Sequence, residues 1–65
     1  MKLQEIYDSL PNDLIELVII GQDFAKRNPK SDETKHFKVL MEEETSGLIE
    51  VKKAVAHMIN KSKTN

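Results

Sequence analysis

The sequence predicts an all-α fold, a small bundle of three or four short helices, and its surplus apolar surface points to a dimer. Three observations carry that expectation. Residues 13–27, DLIELVIIGQDFAKR, hold the densest apolar block, with Leu14, Leu17, Val18, Gly21, Phe24 and Ala25 on one helical face. Residues 48–59 repeat the pattern, with Leu48, Val51, Val55, Met58 and Ile59 on one side and Glu50, Lys53, His57 and Lys61 on the other. Pro11 and Pro29 punctuate the chain where helices have to stop.

The 65 residues allow one domain, spanning 1–65, with a frayed polar tail at 61–65. A chain this short buries roughly 60% of its extended surface, so its core is marginal. No cysteine is present, so neither a disulfide nor a thiolate metal site can brace it. With 38% hydrophobic and 32% charged residues, the chain is too apolar and too balanced in charge to stay disordered. Efficient helix packing and self-association are the remaining ways to stabilise it.

Taken in order, Leu3, Ile6, Tyr7 and Leu10 suit a first helix ending near Ser9 or Leu10. It is too short to persist alone and is expected to dock on the second helix. Asn12 is the expected cap of that second helix, with Asp13 favourable in its first turn. Gly21 in the apolar face costs about 1 kcal/mol relative to alanine unless a neighbouring helix needs the space. Asp23 and Arg27 form an acid-first i,i+4 pair. After the loop Asn28-Pro29-Lys30, Ser31 is the next cap.

Residues 32–44 read in two ways. As a helix, Phe37, Leu40 and Met41 form a stripe; as a strand, Phe37, Val39 and Met41 alternate and could pair with 48–52 through a turn at 44–47. The helix is preferred, because its capping signal is better and a lone hairpin leaves two edges open. The last helix is expected over about 47–60, started by Thr45 or Ser46. The apolar stripe also passes Gly47 in phase, which permits a single helix of roughly 28 residues, about 42 Å long. Lys52 falls beside this stripe and has to reach past it with its methylene stem. The expected core is Leu3, Ile6, Leu10, Leu14, Leu17, Val18, Phe24, Phe37, Leu40, Met41, Leu48, Val51, Val55 and Met58.

Catalytic and cofactor signals are weak. His36 and His57 are the only histidines and lie 21 residues apart with no HExxH-type partner. Gly21 and Gly47 are the only glycines, so no phosphate loop can be built. The expectation is no enzyme, no cofactor and no metal. Net charge is -1, yet residues 1–47 carry six basic against ten acidic side chains and residues 48–65 carry four against one. The longest apolar run, Leu17 to Gly21, falls far short of the ~20 residues a membrane span requires, and the N-terminus does not read as a secretory signal. A cytoplasmic location is the default expectation.

Function is therefore expected from surfaces. Ile15, Ile19 and Ile20 lie off the main stripe of the second helix and are candidates for an interaction surface, with Glu42, Glu43 and Glu44 as an acidic docking patch. The resulting reading is a small interaction or regulatory module with a protein partner and self-association. The alternative is a nucleic-acid-binding regulator of helix-turn-helix type, contacting phosphates through Lys35, Lys38, Lys52 and Lys53.

Overall fold

A computed structural model describes residues 2–43 and 46–64. Four helices are present: α1 (Leu3–Ser9), α2 (Leu14–Arg27), α3 (Asp32–Glu42) and α4 (Leu48–Thr64). The Cα radius of gyration is 10.8 Å, against ~11 Å expected for a compact chain of this length. The small all-α bundle is what the patterning demanded.

The helix ends follow local chemistry. Asp13, not Asn12, caps α2: its carboxylate accepts from the Ile15 and Glu16 amides at 2.9 and 3.3 Å. Ser31 caps α3 as expected, accepting from the Thr34 amide at 3.1 Å. Around that cap the α2–α3 turn is tied by a network. The Ser31 hydroxyl donates to Thr34 Oγ1, which donates in turn to the Asn28 carbonyl at 2.7 Å. Thr34 is completely buried, which a threonine near a helix start tolerates only with its hydroxyl satisfied. No buried side-chain nitrogen or oxygen lacks a partner among the described residues.

The doubt over residues 32–52 resolves as two helices. After Glu42 the Glu43 amide bonds the Leu40 carbonyl, and the Ser46 amide bonds the Glu43 carbonyl at 3.4 Å. The chain thus turns between α3 and α4, and among the described residues there is neither a hairpin nor one long helix. The Val51 amide reaches the Gly47 carbonyl, so Gly47 is the residue from which α4 starts at Leu48. Thr45, offered as a starter, and Glu44 lie outside the described residues. The tail expected to fray continues as helix through Thr64, helped by lysines near the negative end of the helix dipole.

α4, rather than α2, is the centre. It touches all three other helices, α2 and α3 also touch each other, and α1 packs on α4 alone. The first helix therefore docks on the last and not on the second. The reason lies in α4's buried arc, which adds Ala54 and Ala56 to Val51, Val55 and Met58. The two alanines carry little hydrophobic signal, but their small side chains admit neighbours closely: Ala56 faces α1 and Ala54 faces α3.

Ile6, Leu10, Leu17, Phe24, Phe37 and Leu40 complete the core. Leu3 and Leu48 pack at its edge and Val18 is half-buried, whereas Leu14 and Met41, expected inside, are exposed. α2 is rotated from its expected setting toward Ile20, because it must face α3 and α4 together. Gly21 is buried at the α2–α3 contact, where an added β-carbon would overlap Cε1, Cζ and Cδ1 of the Phe37 ring. The glycine is there for close approach.

Candidate interaction surface

α2 has apolar residues on more than one face, and α3 and α4 cover only the inner one. Ile15 and Ile19 are left 73% and 59% exposed, with Leu14 beside them. Spaced by four, the two isoleucines are neighbours along one outward ridge that continues to Gln22 and Lys26. Ile20 does not belong to this ridge. It is partly buried and packs against the core, which corrects its assignment to an outer surface.

The ridge slopes into a hollow of about 550 Å³ between α2 and α3, lined by Gln22, Ala25, Lys26, Lys38, Met41 and the edge of Phe37, with Glu42 at its rim. Glu42 and Glu43 are both exposed, as an acidic docking patch requires. Glu44 lies outside the described residues, so the patch is described through two of its three members.

The lysines proposed for phosphate contact are not brought together. Lys38 lines the α2–α3 hollow and Lys35 is exposed on the same helix, while Lys53 lines a groove of about 580 Å³ between α1 and α4 with Leu3, Gln4, Tyr7, Ala56 and His57. Lys52 is only 7% exposed. Its ammonium donates to Asn12 Oδ1 at 2.8 Å and lies 4.6 Å from the centre of the Tyr7 ring. It locks α1 and the Pro11 joint onto α4, and is corrected from a candidate contact to a structural residue. Asn12 does not cap α2; it is used here instead.

His36 and His57, far apart in sequence, line one shallow depression of about 190 Å³ with Asp32, Glu33 and Ala54. Among the described residues, no group of three or more histidine or carboxylate side chains is placed to hold a metal ion. Nor is any helix among them long and apolar enough to cross a membrane.

The fold and its surface together define a small all-α domain of four short helices. Compared with protein-family models, with curated proteins and with solved structures, the chain matches none.

Proposed function

We propose that the protein is a small non-enzymatic interaction module that acts by docking the outward face of α2 on a protein partner. The observation that carries this reading is the adjacency of Ile15 and Ile19, both more than half exposed, beside Leu14. Single exposed aliphatics are ordinary, but neighbouring ones on a ridge with charged flanks have the make-up of an interface centre. Covering one such isoleucine contributes roughly 1.5–3 kcal/mol.

Replacement of Ile19 by aspartate puts a charge at the centre of that face without touching the core. Ile19→Asp is expected to weaken partner binding at least about tenfold, while helical circular dichroism and thermal midpoint stay near wild type. If solution mass and partner binding were both unchanged, the α2 face would not be the working surface. The nucleic-acid reading draws no comparable support, since Lys52 is occupied and Lys38 and Lys53 line separate hollows.

A further inference from the structure

We infer that the groove between α1 and α4 is a binding site for a small anionic amphiphile, a free long-chain carboxylate. Its head group pairs with Lys53 and His57, and its chain lies along Leu3, Tyr7 and Ala56. The site shares no residue with the outward face of α2 and does not depend on the docking reading.

The sequence of each helix sets its own wall of the groove. Leu3 and Tyr7, four residues apart on α1, are neighbours along that helix, and both are half-buried. Lys53 and His57, four apart on α4, are both exposed and place an ammonium and an imidazole one turn from each other. Between the two walls lies Ala56, 1% exposed, whose side chain ends at the β-carbon. The helices therefore leave a trough of about 580 Å³ along this contact. Small-molecule sites occupy roughly 300–1,000 Å³ and combine an apolar lining with a few polar groups that orient the ligand.

Charge selects the occupant. The depression between α3 and α4 is lined by Asp32 and Glu33, and the α2–α3 hollow has Glu42 at its rim. The α1–α4 groove is lined by Lys53, His57 and Gln4 and by no carboxylate. On α1, Asp8 is engaged by the Gln4 amide, which donates to it at 2.9 Å. On α4, Glu50 stands one turn before Lys53, yet among the described residues neither Lys53 nor His57 makes an ion pair. The Lys52 ammonium adds positive charge against the Tyr7 ring, 4.6 Å from its centre. An anion is drawn to such a lining and a cation repelled. The apolar remainder narrows the choice further. A peptide or a nucleotide brings many donors and acceptors into a trough with only three polar side chains, and each one left unmatched costs affinity. A hydrocarbon chain asks for no partner, and one carboxylate matches the two donors on α4.

The test is titration of the full chain with dodecanoate below its micelle concentration. Tyr7 is the only tyrosine and there is no tryptophan, so intrinsic fluorescence reports on the groove directly. Saturable binding at one site per chain is expected, with dodecyltrimethylammonium at least about tenfold weaker. From octanoate to dodecanoate, affinity is expected to rise about two- to fourfold for each added methylene. Lys53→Glu and His57→Glu, both at exposed positions, are each expected to weaken dodecanoate at least about tenfold. Lys35→Glu, an equal charge change on α3 outside the groove, is expected to bind as wild type does. Circular dichroism checks that every variant is helical. The proposal is overturned if dodecanoate does not saturate, if the ammonium amphiphile binds as well, or if both groove variants bind as wild type does. An equal loss in Lys35→Glu would reduce the effect to net charge and overturn it too. So would binding confined to vesicles of phosphatidylcholine with phosphatidylglycerol, since the anion recognised would then be a membrane surface.

Discussion

Gly21→Ala is expected to lower the unfolding free energy by about 2 kcal/mol. At an exposed helix interior the same change would add roughly 1 kcal/mol, because alanine is the better helix former. Here the new methyl falls on the Phe37 ring, which is 2% exposed and held in the core. Overpacking of this kind costs about 1–3 kcal/mol, and overlap with three ring atoms places it at the upper end. For a 65-residue domain holding ~3–10 kcal/mol in total, a net loss of that size is a large share. Thermal or urea unfolding measures it. The cause is checked by pairing the change with Phe37→Leu, which removes the ring. The double variant is expected to be more stable than the sum of the two single losses predicts, by at least about 1 kcal/mol. A stabilised Gly21→Ala would mean that α2 and α3 do not approach as described.

Lys52→Glu is the second large effect, an expected loss of about 3 kcal/mol concentrated on α1. The change removes a hydrogen bond from a charged donor, about 1.5–3 kcal/mol, and a cation over the Tyr7 ring, about 0.5–2 kcal/mol. It then places a carboxylate against the electron-rich face of that ring. Turning the Asn12 amide can restore one hydrogen bond but not the lost attraction. Lys52→Met, which keeps the stem and loses the same two contacts, is expected to cost less, because it sets no carboxylate against the ring. Because α1 packs on α4 alone, hydrogen exchange gives the sharper readout. Amides of residues 5–10 are expected to lose protection while those of α2 and α3 keep theirs. Uniform loss of protection would contradict the view of Lys52 as a local latch.

Which of these features could be read from the chain depends on the distance over which each is determined. The caps and breaks at Ser31, Pro11 and Pro29 are local, and the helix boundaries follow them closely. The exposure of Ile15 and Ile19 was also legible, since a helix apolar on two faces cannot bury both in so small a bundle. Ile20 was misplaced because a helix wheel does not reveal how far the helix rotates to meet two neighbours. The central role of α4 was hidden in Ala54 and Ala56, whose contribution is room for other helices rather than hydrophobic area. Lys52 is the clearest non-local case. Its partner Asn12 lies 40 residues away, and nothing near either residue announces the pair. Asn12 reads equally well as a cap until Asp13 is seen to take that role. That His36 and His57 line one depression has the same origin, in the packing of α3 on α4.

The central claim, that the outward face of α2 is where this protein meets another protein chain, is tested most directly by site-specific photocrosslinking in its source cells. A photoreactive residue would replace Ile19 in one variant and, as a control on the exposed side of α4, Lys53 in another. The account predicts a discrete crosslinked protein band from position 19, at twice the chain mass if the partner is a second copy, and none from position 53. Crosslinks confined to position 53, or equal at both positions, would contradict it.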